Sequence, residues 1–274
     1  MAGHVDDFHR AGNENSAAWK QIKQSIDQRY KWGSVKLNAY RHAGTDLEIV
    51  NDANLGRCLV VDQSYYVETL QDIDITPERF CQGDATMTPK EISACRTSLG
   101  ALQWLAVQTQ HLICARCNLL ITELAGSPVM RTAQEIQELV RELRKHSTQL
   151  KFFKLPHVKT WKDVCVVGLG DQAHNNRPRG GSTGGMLVFL AGPEIAVGKP
   201  NPMVLVAWKS WKLKRVAISS NDAEVQALVE TEDAVYRSRL LWAELNGAGK
   251  LSESRDLLTA SVASSFSAWS SWYR

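Results

Sequence analysis

The segment VCVVGLGDQAHNNRPRGGSTGGMLVFLAG (164–192), with MVLVAWKSWKLKRVAISSNDAEVQAL (203–228) after it, carries the strongest structural pattern in the chain. Three apolar runs, VCVVGLG, GMLVFLAG and MVLVAW, are separated by segments rich in glycine, proline and asparagine, which is typical of strands joined by turns. From Asn221 to about Leu245 the apolar spacing becomes helical. The sequence therefore predicts a sheet followed by a long helix.

The chain before this region is predicted to be mainly helical. Ser16 is the expected N-cap of the first helix, and Pro89 is placed where a first helical position is expected. Turn residues between two apolar runs predict one hairpin. The predicted helices cover residues 16–30, a short segment from Ser64, 89–123 and 132–145, and the hairpin strands cover 37–50 and 58–61.

Composition indicates a folded protein of two domains. The 274 residues are 44% apolar and 22% charged, and the length suffices for two ordinary cores. The change from helical to strand patterns predicts a boundary near residue 150, which gives domains of 1–149 and 150–247 and a serine-rich tail of 248–274. The formal charge of +3 is too small to indicate nucleic-acid binding by itself.

Cysteine usage and hydropathy indicate an intracellular protein, cytoplasmic or nuclear. Six scattered cysteines in a chain with no signal peptide favour reduced thiols. Cys114 and Cys117 form a CxxC, but no second pair has zinc-site spacing, so buried thiols are favoured over a metal site. Polar residues interrupt the apolar segment 99–121, so no membrane span is expected.

Two pairs of carboxylates are candidates for metal binding. Asp6 and Asp7 follow Val5 in a VDD sequence that suits a hairpin tip, although a solvated turn is the ordinary explanation. Asp171 follows a predicted strand and Glu224 lies at a helix start, so the two could converge on one metal pair. Asn221 and Glu224 also have capping-box spacing, which offers a purely structural role for Glu224.

A basic, tryptophan-containing segment is the candidate nucleic-acid surface. Cations and indoles in this pattern suit a phosphate backbone with aromatic support. A solvated edge strand explains the lysines equally well. The candidate residues are Trp208, Lys209, Trp211, Lys212, Lys214 and Arg215.

Several motifs, in one order along the chain, resemble the copia-type retrotransposon Pol polyprotein. HVDDFHRAGNE (4–14) and VVDQSYYVETLQDIDI (60–75) resemble reverse transcriptase segments. CRTSLGALQWLAVQTQ (95–110) is similar to a later stretch of the family, with His111 and Leu112 in place of its Arg-Pro. GLGDQAHNNRPRGGSTGGMLVFLAG (168–192) and AWKSWKLKRVAISSNDAEVQAL (207–228) resemble the RNase H region. The NNRPRGGSTGG form is similar to copia-like elements of dinoflagellate type.

The resemblance implies roles for the four carboxylates. Asp6 and Asp7 correspond to the aspartates of the polymerase turn, and Asp171 and Glu224 to the first two RNase H carboxylates, each a Mg²⁺ ligand. The chain lacks the earlier polymerase aspartate and a clear strand for a third RNase H carboxylate, for which Asp256 is a weak candidate. The two-metal site is therefore expected to be incomplete.

The fold expected from the resemblance is α/β in the broad sense, α+β in detail. It consists of a truncated reverse transcriptase palm with a helical thumb or connection, then an RNase H-like mixed sheet flanked by helices. The implied function is that of a transposable-element fragment, ancestrally an RNA-directed DNA polymerase and RNase H, inactive alone. A noncatalytic module that keeps the RNase H fold is the alternative. Its expected partners are RNA/DNA hybrids or other nucleic acid, and other retroelement polyprotein chains.

Overall fold

The computed structural model describes residues 2–4, 7–126, 128–177 and 180–247. At the start, β1 (Ala2–His4) and β2 (Asp7–His9) form an antiparallel pair. Helix α1 (Ala17–Arg29) follows, and its N-cap Ser16 accepts a hydrogen bond from the Trp19 amide at 3.4 Å. The first predicted helix is confirmed, together with its cap.

A four-stranded antiparallel sheet occupies the middle of the first half. Its strands, in spatial order, are β3 (Ala39–His42), β4 (Thr45–Asp52), β5 (Gly56–Asp62) and β6 (Leu150–Phe153). The strand predicted over 37–50 is in fact two, because Ala43 and Gly44 both have positive φ (47° and 75°) and reverse the chain. Two-residue hairpin turns of this kind favour Asn-Gly, so an alanine gave no turn signal.

A helical bundle follows, made of α2 (Ser64–Thr69), α3 (Pro77–Phe80), α4 (Pro89–Gln108), α5 (Cys114–Ala125) and α6 (Met130–Lys145). Pro89 is the first residue of α4, and Thr88 and Glu91 form a capping box around it. The helix predicted over 89–123 is interrupted after Gln108. Fully buried Leu102, Leu105, Ile136 and Leu139 contribute to its continuous apolar core.

Buried polar groups explain the break between α4 and α5. Thr109 donates to the Gln63 side chain at 2.9 Å, and the Gln110 amide group exchanges hydrogen bonds with the backbone of Thr148 at 2.8 Å in both directions. Each of these polar side chains lies in the interior and requires a partner there. The network joins the end of α4 to the chain segments beside β5 and β6.

The second half of the chain forms a three-stranded antiparallel sheet and one long helix. The strands are β7 (Cys165–Arg177), β8 (Gly181–Ala191) and β9 (Met203–Lys212), in that spatial order, and α7 (Ser220–Leu245) packs on the sheet. A β carbon built on Gly170 would lie 2.5 Å from the Thr231 hydroxyl, and one on Gly168 would lie 2.5 Å from Val235. Glycine at both positions therefore lets α7 approach the strand closely.

The two halves contact each other. Leu150–Phe153, which follows the predicted boundary, pairs with β5 in the sheet of the first half. Arg177 donates to Thr122 on α5 at 2.7 Å, and the Trp208 indole donates to the Ala106 carbonyl on α4 at 2.6 Å. Every sheet pairing among the described strands is antiparallel, whereas the resemblance led us to expect a mixed sheet.

The chain belongs to the α+β class, with helices and antiparallel sheets arranged around separate cores. Within the described ranges, no helix is both long and apolar enough to cross a membrane.

Candidate functional site

Strand β1 ends at His4, directly before the VDD sequence, and β2 begins at Asp7, its last residue. His4 is paired with Asp7, so residues 5–6 connect the two paired ends. Asp7 is the first residue of β2. Asp6 lies outside the described residues, so of the two candidate polymerase aspartates only the backbone position of Asp7 is defined.

Strand alternation places Asp171 on the face of the sheet that is turned away from α7. Gly170 faces the helix. The side-chain amide of Gln172 donates a hydrogen bond at 2.9 Å to the hydroxyl of Ser220, the first residue of α7. Because successive side chains of a strand point to opposite faces, Asp171 projects from the other side. Its carboxylate is exposed and accepts a hydrogen bond from the Gln172 backbone amide at 2.7 Å.

Glu224 is exposed on the first turns of α7, and it does not cap the helix. The N-cap is Ser219, which accepts from the Asp222 amide at 3.1 Å, and Asp222 accepts in return from the Ile218 amide at 3.1 Å. The capping role considered for Asn221 and Glu224 is therefore wrong. A shift of two residues in the helix start moves the cap to Ser219.

Asp171 and Glu224 are carried by different layers of the second half, the sheet and the helix packed on it. Asp171 leaves the sheet on one face, whereas Glu224 belongs to the helix on the other face. No cluster of three or more His, Cys, Asp or Glu side chains suited to a metal occurs in the described part of the chain. Asp256, the weak candidate for a third ligand, lies outside the described residues.

The indoles of Trp208 and Trp211, in the candidate nucleic-acid surface, pack against other parts of the protein. Trp211 is 8% exposed and lies in the small core beneath α7, against Gly184. Trp208 is half-buried, donates its N–H to the Ala106 carbonyl, and packs edge-on against His111 at 5.8 Å between ring centroids. Neither ring is presented as an open stacking platform for bases, which is the role that the sequence suggested.

The four predicted cations are all exposed, but they do not form one row. Lys209 lies on the α7 side of β9, with its ammonium 5.2 Å from the Trp211 ring centroid. Lys212 is paired with Thr183, on the opposite face of the sheet. Lys214 and Arg215 lie in the loop between β9 and α7. Strand alternation thus separates Lys212 from Lys209.

Two functional candidates on α7 are absent from the sequence prediction. Glu230 accepts a hydrogen bond from Lys214 at 2.9 Å, and Arg237 lies two turns further along the helix. The Lys214 hydrogen bond lowers the pKa of Glu230, and the charges of Lys209 and Arg237 lower it further. We call Lys209, Lys214 and Arg237 the basic cluster. The i, i+7 spacing of Glu230 and Arg237 places them on one face of the helix, but it does not indicate the contact of Glu230 with Lys214.

The CxxC cysteines lie in the interior of the protein. Cys117 is fully buried, and burial raises the pKa of its thiol to about 12. Burial also raises the pKa of Cys114, which is half-buried on the side of α5 that contacts β9 near Ser210. A raised pKa disfavours the thiolate, which is the nucleophilic form of cysteine.

Comparison with protein-family models, with curated proteins and with solved structures finds no match to this chain.

Proposed function

We propose that this chain is part of a copia-type retrotransposon Pol polyprotein, with the end of a reverse transcriptase followed by an RNase H-like domain. In this proposal the ancestral activities are RNA-directed DNA polymerisation and Mg²⁺-dependent cleavage of RNA in RNA/DNA hybrids. The chain alone binds nucleic acid without cleaving it. The order of motifs along the sequence is the basis for the family, and the exposed cations around β9 and α7 are the basis for the binding.

The observation that carries the proposal is the arrangement of the second half. Three consecutive antiparallel strands are followed by a long helix that packs on the sheet, which agrees with the order expected from the resemblance. The motif-bearing segments 168–192 and 207–228 supply β8, parts of β7 and β9, and the start of α7. A noncatalytic module is favoured over an active nuclease, because strand alternation turns Asp171 away from α7, the helix that carries Glu224.

Binding in this proposal rests on phosphate contacts. Lys209, Lys212, Lys214 and Arg215 are exposed, while the indoles between them are engaged within the protein. Cations without free aromatic surfaces contact a phosphate backbone but do not stack on bases. We therefore expect a preference for duplexes, little dependence on sequence, and affinity that falls steeply as salt increases.

A salt titration of binding to an RNA/DNA duplex, alongside a Mg²⁺ cleavage assay, tests the proposal. The wild type should bind with an affinity that decreases linearly with salt on a log–log plot, and should leave the RNA intact. A variant with all four cations changed to alanine should lose most of this affinity. Undetectable or salt-independent binding would remove the binding function, and cleavage abolished by Asp171→Asn would show instead an active nuclease.

A further inference from the structure

Glu230 places a carboxylate beside Lys214 of the basic cluster. Its Oε1 lies 2.9 Å from the Lys214 ammonium, in an ion pair whose side chains are 82% (Lys214) and 32% (Glu230) exposed. Lys209 and Arg237 are close enough to influence its ionisation, and their charges act in the same direction as that of Lys214. Lys214 is thus already paired with an anion that the protein itself supplies.

We infer that Glu230 is a built-in competitor for phosphate, which occupies Lys214 and limits the nucleic-acid affinity of the basic cluster. This inference rests on the proposed function, because Lys209 and Lys214 belong both to the proposed binding surface and to the basic cluster. A carboxylate and a phosphate oxygen are both anionic acceptors that bind an ammonium group through charge-assisted hydrogen bonds. A phosphate that binds Lys214 therefore meets a carboxylate that is already hydrogen-bonded there.

A phosphate can bind at Lys214 in two ways, and both weaken the affinity for nucleic acid. It can displace Glu230 from Lys214, which breaks the ion pair, or it can bind beside an unreleased negative charge, which repels it. Asp233 has a similar relationship to Arg237, to which it is hydrogen-bonded one turn away on α7. The cluster is therefore less positive towards nucleic acid than its three cations suggest.

The ion pair contributes little to folding, which makes its removal a clean test. Lys214 is almost fully solvated, and pairs at such exposed positions have small effects on stability. Glu230→Gln keeps the size of the side chain and its ability to accept a hydrogen bond, but removes the charge. Glu244→Gln is the matched control, because this exposed residue on the same helix makes the same change of net charge with no ion pair among the described residues.

The experiment measures fluorescence anisotropy of a labelled RNA/DNA duplex at a series of KCl concentrations, with the full-length chain. Glu230→Gln should bind about two- to fivefold more tightly than the wild type, the range for one exposed charge interaction. Its salt dependence should be steeper by up to about one unit, because Lys214 becomes available to a phosphate. Glu244→Gln should resemble the wild type. In a Lys214→Ala background, the effect of Glu230→Gln should become smaller.

The outcomes separate this inference from the proposed function. If Lys214→Ala weakens binding but Glu230→Gln equals Glu244→Gln, the competitor role is wrong and the binding surface remains. If neither the wild type nor Glu230→Gln binds even at low salt, both proposals fail. Glu230→Ala, which also removes the hydrogen-bond acceptor, should change affinity in the same direction as Glu230→Gln, and thermal unfolding verifies that each variant is folded.

Discussion

The Gln172 side-chain amide donates to the hydroxyl of Ser220 at 2.9 Å, and this contact assigns the even-numbered residues of the strand to the face that meets α7. Gly168 and Gly170 belong to the same face, where α7 passes closest. The odd-numbered Asp171 lies on the other face. Asp171 therefore points away from α7, the helix that carries its expected partner Glu224.

Close packing at Gly170 gives a stability prediction with an internal control. Gly170→Ala should destabilise the protein by about 1–3 kcal/mol, because its β carbon would meet the Thr231 hydroxyl and force the helix away. Gly185→Ala, on β8 beside Asp171, has nothing within 4 Å of the added carbon and should be close to neutral. Urea unfolding of both variants is the measurement. Equal losses at the two positions would contradict the packing of α7 described here.

Arg177 is predicted to hold the second sheet against α5. It is 5% exposed, and it donates to the hydroxyls of Thr183 and Thr122 at 2.8 and 2.7 Å and to the Asn118 side chain. Arg177→Met should cost about 2–4 kcal/mol, because it leaves one buried and two half-buried acceptors without this donor. Arg215→Met, at an exposed site, should cost much less.

Hydrogen exchange distinguishes a local effect from a global one in the Arg177 variant. Faster exchange in β7, β8 and α5, with little change in α6, is the expected pattern because the arginine bridges only those elements. An unchanged stability would show that these hydrogen bonds are not needed for docking.

The capping box at the start of α4 predicts a dependence of stability on pH. Arg79 and the Thr88 amide hold the carboxylate of Glu91 at 2.7 Å each, and these bonds lower its pKa from 4.5 to about 2. Since the folded pKa lies below the unfolded value, the stabilisation is present above pH 4.5 and is lost as the pH falls towards 2. Glu91→Ala should therefore cost about 1 kcal/mol at pH 7.

Unfolding of the wild type and Glu91→Ala at several pH values provides the measurement. The difference between them should be constant above about pH 5 and should shrink between pH 4.5 and 2. Thr122→Ala, on another helix, should show no such pH dependence. A Glu91 difference that is independent of pH would mean that the carboxylate is not stabilised by its charge.

Trp208 should prove structural and not a base-stacking residue. Trp208→Phe removes the indole N–H that donates to the Ala106 carbonyl, and the loss of this half-buried bond should cost about 1–2 kcal/mol. Affinity for a duplex, measured under conditions where the variant is folded, should stay within about twofold, because a stacking contact would account for a larger loss. A loss of tenfold or more, without such destabilisation, would restore the stacking role.

Local patterns in the sequence were sufficient to predict many of the helices and strands. Ser16 and Pro89 marked helix starts because caps and first-turn positions depend on nearest neighbours along the chain. The runs at 164–170, 185–192 and 203–208 identified three strands from their apolar residues. Turns without a usual signal were missed, as at Ala43, where an ordinary residue adopts positive φ.

The spatial relationships depended on packing between distant segments. Periodicity shows that residues alternate on a strand, but not which set meets the helix, so the separation of Asp171 from Glu224 required the contacts of Gly170 and Gln172. The burial of Trp211 and the position of Glu230 beside Lys214 likewise join segments that are remote in sequence. The sequence alone established which chemical groups are present and in what local structure, whereas long-range contacts, stabilised by burial and close packing, established which of them meet.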